Sequence, residues 1–190
     1  MIDGFIRFYE NLFPSITPYA AEGVKAAIGR FRRDNGSIAY TTKLPFKAFR
    51  QGDFFSEIPF YYMDPKGDYG FKKCNAMLLT NTCDTERNDY LTFAAAIPVS
   101  DFEENKIRGL EDNTNFQFLF VPGASTDDFV IDFGLLSVVP RTMFNEAFSA
   151  NKITRKASLT TVGYFLFITK LTAFFMRPED SEAYKSRERY

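Results

Sequence analysis

Aromatic rings set the first constraint on this chain: 23 Phe and 10 Tyr occur in 190 residues, with no Trp. Phe is roughly three times as frequent as in an average soluble protein. Rings in such number require a dense aromatic core, and those it cannot hold favour an aromatic contact surface. A chain of 190 residues buries a core of that kind without disulfides or metal ions. The composition fits one globular domain, alone or with an appended element. Charge is balanced, 23 Lys+Arg against 24 Asp+Glu for a net −1, which argues against a dedicated nucleic-acid carrier or a polybasic membrane protein.

Three parts follow one another along the chain. Residues 1–40 read as helical: Ile2, Phe5, Ile6, Tyr9, Leu12 and Phe13 form a three-and-four stripe closed by Pro14, and Thr17-Pro18 opens a second helix. Arg30, Arg32 and Arg33 end that helix, where cations complement its dipole. Residues 41–178 read as the main domain. Its apolar runs at 54–60, 75–80, 90–99, 115–121 and 129–139 are strand candidates joined by short charged or Gly-bearing links, with longer polar loops at 84–89 and 101–115. This order predicts an α+β fold with a small, strongly bent antiparallel sheet or barrel, not a parallel βαβ sheet. Residues 141–148 read as a short helix, and Ser158 as the N-cap of a nearly apolar helix reaching Met176. Lys170 and Gly163 interrupt that run, so the expectation is a helix packed across the sheet and no membrane span. Residues 179–190 form a charged tail.

The absence of His removes the Ser-His-Asp and Cys-His arrangements, HExxH zinc sites and any imidazole general base. Cys74 and Cys83 form no CxxC pair and have no His to complete a zinc site, which favours a reduced, cytoplasmic setting. The start, Met1-Ile2-Asp3-Gly4-Phe5, is not a secretory signal pattern. Neither GxxxxGK[ST] nor GxGxxG occurs, and no cofactor is expected. Glu104-Asn105-Lys106 has an acid-x-Lys spacing but lies in charge-rich sequence. Cys83-Asp84 places a thiol beside a carboxylate after an apolar strand; the negative neighbour raises a thiol pKa, so packing and turn bonding are expected in place of nucleophilic chemistry. Asp53, Asp84 and Asp132 each border a strand in apolar surroundings. They read as turn residues whose carboxylates accept backbone amides, with no metal site among them.

Gln51-Gly52-Asp53-Phe54-Phe55, Met77-Leu78-Leu79-Thr80 and Ala96-Ile97-Pro98-Val99-Ser100, in this order, resemble the SH3-like barrel of the PemK/MazF-like ribonuclease toxins. Leu79-Thr80-Asn81-Thr82-Cys83-Asp84, with Val130-Ile131-Asp132-Phe133 and the helix at 159–177, is similar to bacterial proteins with a Ser/Thr-x-Ser/Thr-Cys-Asp signature encoded near mobile-element or phage-defence genes. The resemblance covers residues 46–177. It implies a toxin-antitoxin or phage-defence setting, a protein partner encoded nearby, and it leaves open RNA as a ligand and a homodimer as the assembly. The toxins place an Arg-Pro step ahead of the apolar strand; here Cys74-Asn75 stands there, with Lys72 and Lys73 beside it. A lysine lacks the bidentate fork that stabilises a developing phosphorane. The resemblance therefore implies a protein-interaction component without strong catalysis. The alternative is a metal-independent endoribonuclease using Lys73 and Ser100 for catalysis and Arg50, Lys72 and Lys73 for RNA.

Overall fold

The apolar runs pair into a single antiparallel sheet whose central strands bury residues on both faces. The computed structural model describes residues 39–43, 47–111, 113, 115–123 and 127–176; the helices expected within 1–38 and the tail at 179–190 lie outside the described residues. The strands are β1 (Thr41–Thr42), β2 (Phe54–Met63), β3 (Tyr69–Leu78), β4 (Tyr90–Pro98), β5 (Phe118–Val121), β6 (Phe129–Pro140) and β7 (Thr154–Leu159). Three helices accompany them: α1 (Glu104–Glu111), α2 (Arg141–Ser149) and α3 (Thr161–Met176). The strand order is β1-β7-β2-β3-β4-β6-β5, every pairing antiparallel.

Alternation sorts the side chains into two cores. Phe54, Met77 and Ala94 point to one face, where Leu166 and Phe167 of α3 cover them. Phe55, Leu78 and Phe93 point to the other, under Phe144 of α2. A strand buried on both faces reads as a continuous apolar run, which is why these segments are plain in the sequence.

Three bulges interrupt the ladders of the sheet. In β2 the register slips between Phe55 and Ile58, with Glu57 at φ 63°. In β6 the partners of Ala94 and Ala95 are Leu136 and Asp132. In β7 Phe54 pairs with Ala157 and Phe55 with Arg155, leaving Lys156 as the extra residue. The expected closure into a barrel does not occur. Two-residue β1 and four-residue β5 are the edges, too short for a ladder between them; they approach where Thr41 Oγ1 donates to the Gly123 carbonyl at 3.1 Å.

Three boundaries differ from the sequence expectation. Residues 154–159 are strand, including Ser158, expected to cap the long helix: they hydrogen-bond β1 on one side and β2 on the other. The cap of α3 is Thr160, whose hydroxyl accepts from the Gly163 amide at 3.2 Å. The charged loop at 101–115 contains α1, whose Leu110 is buried, so Glu104-Asn105-Lys106 is a first helical turn and Lys106 pairs with Glu103 at 3.0 Å. Tyr40, assigned above to the N-terminal segment, is buried in the core beneath α3, and its carbonyl accepts the Thr160 amide at 2.8 Å.

The buried face of α3 is Gly163, Leu166, Phe167 and Lys170, a three-and-four stripe with a cation in it. Lys170 Nζ donates to the Asn113 carbonyl at 2.7 Å and to that of Asn115. Burial pushes its ammonium down from 10.5 to about 8. Below pH 8 both folded and unfolded chains carry the proton and the burial cost is complete. Between about 8 and 10.5 the unfolded chain binds more protons, so stability rises with pH, by at most about 3 kcal/mol. Urea melts from pH 7 to 10 should show wild type gaining on Lys170→Met across that window; a constant difference between the two would refute it. No helix among the described residues is long and apolar enough to cross a membrane.

Candidate functional site

Beyond the sheet, β2 and β3 continue as a two-stranded ribbon. Pairing of β2 with β7 ends at Ser56, and pairing of β3 with β4 ends at Asn75, so from there outward each strand has only the other as a ladder partner. Ile58 and Phe60 anchor the base of the ribbon in the core. Register places Tyr61 opposite Phe71 and Met63 opposite Tyr69, which puts all four on one face. They are 74%, 54%, 64% and 87% exposed. The Tyr61 and Phe71 rings lie 5.9 Å apart. On the other face the Tyr62 ring lies over Gly70, in space a Cβ would fill. Asp64 fixes the tip, its Oδ1 accepting the Lys66 amide at 2.8 Å and the Asp68 amide at 2.9 Å. The rings are thus presented on a preformed hairpin.

A second feature is built at the opposite edge of β2. Gly52, at φ +88°, makes a turn available to few other residues, and delivers Asp53 into the interior. Asp53 is fully buried. Its Oδ2 accepts from the Arg50 amide at 2.9 Å and from Arg155 Nη1 at 3.0 Å. Its Oδ1 accepts from Ser158 Oγ at 2.6 Å. Arg155 also donates to the Ala48 carbonyl at 2.9 Å and lies over the Phe49 ring. Arg155 and Ser158 form the floor of a cleft of about 300 Å³ running along β7, lined further by Lys43, Phe148, Asn151 and neighbouring residues of 153–157.

The residues proposed from sequence separate into groups. Lys72 and Lys73 are exposed on the ribbon, and Lys73 comes within 3.9 Å of Glu57. Ser100 is exposed in the turn Val99–Asp101 directly after β4. The β3–β4 register, last seen at Asn75 opposite Ala96, brings the two lysines and Ser100 to the same end of the sheet. Arg50 is not with them. It precedes Gly52, whose amide bonds the Leu78 carbonyl, and Leu78 is five residues along β3 from Lys73, roughly 17 Å at strand rise. Cys83 is exposed, and the side chain fixing its turn is that of Asn81, which accepts the Cys83 amide at 2.9 Å. Asp84 takes part through its backbone carbonyl, which accepts the amides of Arg87 and Asn88. Asp132 acts through its carboxylate as expected, accepting the Gly134 amide and Gln117 Nε2, each at 2.8 Å, within the β6 bulge. No group of three or more His, Cys, Asp or Glu placed to hold a metal occurs among the described residues. Burial raises the Cys74 thiol to about 11, against the pull of Lys72, so it stays protonated at neutral pH.

Sequence reasoning missed Lys43, Arg155 and Lys156 because residues 149–157 carry no predicted element, and Ser158 reads as a helix cap and not as a strand residue. Ile153, Ala157 and Leu159 fall on a period of two, but Arg155 interrupts it and the segment carries no strand signal of its own. No protein-family model matches the chain, and no curated protein matches it.

Proposed function

We propose that this protein is a binding module that docks a protein partner, in a bacterial toxin-antitoxin or phage-defence pair as the resemblance to PemK/MazF-like toxins implies, without strong catalysis of its own. The exposed ribbon face of Tyr61, Met63, Tyr69 and Phe71 carries the reading. Rigid rings on a preformed hairpin lose little conformational freedom on binding. At 150–250 Å² per buried aromatic side chain, the exposed parts of the three rings alone offer roughly 300–500 Å², a large share of the ~800 Å² that one partner contributes to a stable interface. The ribbon edges also present unpaired backbone for an added strand.

Copurification with the products of neighbouring genes tests the proposal. Tyr61→Ser/Phe71→Ser should weaken the resulting complex by at least about thirtyfold, about 2 kcal/mol, with the melting temperature unchanged because both side chains are exposed. A complex indifferent to that variant, or no complex with any neighbour, removes the reading. The shared position of Lys72, Lys73 and Ser100 supports a ribonuclease as the second reading. RNA cleavage in EDTA that is lost in Lys73→Ala and in Ser100→Ala would establish it in place of the first.

A further inference from the structure

We propose that the cleft along β7 is a binding site for the phosphate group of a nucleotide, with Lys43 and Lys156 as the anion-binding side chains and Phe148 as the wall for the base. The site is separate from the ribbon and from the Lys72, Lys73 and Ser100 end of the sheet.

Charge is the first argument. Arg155 in the floor is neutralised by Asp53 at 3.0 Å, so its charge is committed to the fold. Lys43 and Lys156 are both exposed, and among the described residues no acidic side chain lines the cleft. A chain with a net charge of −1 thus concentrates two uncompensated cations at one concavity, an arrangement that draws anions. The β7 bulge supplies the second argument. Lys156 is the extra residue opposite β2, and a bulge of this kind re-aims one side chain at a fixed place in an otherwise regular ladder.

The lining is amphipathic in the manner a nucleotide requires. Asn151 adds an exposed amide, while Phe148, Ile153 and Ala157 are apolar. Phe148 is held by the Phe49 ring at 5.0 Å and the Phe144 ring at 6.1 Å, which fixes its edge as a rigid surface for a base to lie on. A volume of about 300 Å³ lies at the small end of ligand sites, where a mononucleotide or a single nucleotide unit of a strand fits. A free nucleotide and a single-stranded RNA carry the same phosphate and base chemistry, so the probes must separate them.

The test is titration of the full chain with AMP and with a ten-nucleotide single-stranded RNA at low salt, for wild type, Lys43→Gln/Lys156→Gln and Lys106→Gln/Arg108→Gln. Binding of AMP, of RNA or of both is expected, weakened on the order of tenfold in the Lys43/Lys156 variant and unchanged in the charge-matched Lys106/Arg108 variant, whose residues are exposed on α1. AMP binding as tightly as RNA identifies a free nucleotide as the ligand; RNA binding tighter, with a steep salt dependence, identifies a strand. Binding of neither probe, or binding that survives in Lys43→Gln/Lys156→Gln, overturns the proposal. Both lysines are exposed, so the variant should melt with wild type and a loss of binding is not a loss of fold.

Discussion

Replacing Asp53 with alanine is expected to remove about 3–5 kcal/mol of stability, the first of the two largest single-residue effects in this fold. The carboxylate is fully buried and takes hydrogen bonds from the Arg50 amide, Arg155 Nη1 and Ser158 Oγ. It therefore joins the turn ahead of β2 to a strand about a hundred residues later. The ion pair has modest net worth against a well-packed apolar replacement, because both charges had to leave water. Deleting one partner is another matter, since Arg155 is only 15% exposed and would be left with a charge that water hardly reaches. Urea denaturation of Asp53→Ala, Arg155→Met and the double variant gives the test. The double variant should cost clearly less than the two single changes added together, the mark of a direct interaction. A loss below about 1 kcal/mol for Asp53→Ala would mean that the network is incidental to stability.

The same network shows where sequence reasoning stops. The Gly52-Asp53 step was legible as a strand opening with a turn acid, and Asp53 does accept the Arg50 amide. Its stronger partners were invisible because both lie on β7. That strand contains Arg155, Lys156, Ala157 and Ser158, residues of little β preference, and it runs into the apolar stretch of α3. Only its pairing with β1 and β2 makes it a strand, and pairing over a hundred residues leaves no local trace. By contrast β4 and β6 are readable from composition, since Phe93 to Ala96 and Phe129 to Ile131 are buried on both sides. Asn81 was passed over as a cap in favour of Cys83 and Asp84, although Asn is among the best residues for that position. The aromatic surplus did point to a contact surface. It could not locate one, because the ribbon carries rings on both faces and shows no polar alternation.

Two of the bulges lie between the two surfaces. The β2 bulge at Glu57 lies where β2 leaves β7, so the ribbon diverges from the sheet at the point where its outer edge becomes free. The β7 bulge at Lys156 lies against the same stretch of β2 on the other side. Local twist increases at a bulge, and the ribbon face and the cleft share no residue. A change in one surface should leave the other intact, so the two proposed bindings are separable by mutation.

Phe144→Ala is the second large effect expected, again about 3–5 kcal/mol. Phe144 is fully buried in a cluster of five rings drawn from four parts of the chain. Phe49 and Phe55 meet it edge-on at 5.2 Å, Phe93 lies tilted at 5.5 Å and Phe148 stacks at 6.1 Å. None of these rings can close the gap alone, because each is fixed by another neighbour: Phe55 by Phe93 at 6.1 Å and Phe49 by Phe148 at 5.0 Å. The void would stay open and its full cost be felt. Helix α2 has only nine residues and begins at Pro140 without a side-chain cap, so its own helical preference does little to hold it and packing does most. Loss of the ring should therefore free α2 and, with Phe148, the wall of the β7 cleft, while the exposed ribbon is unaffected. Phe144→Leu, which refills part of the volume, should cost about half as much. Urea melts of the two variants, read beside their AMP binding, decide the matter. Equal stability of Phe144→Ala and wild type would show that α2 is held by something other than this cluster.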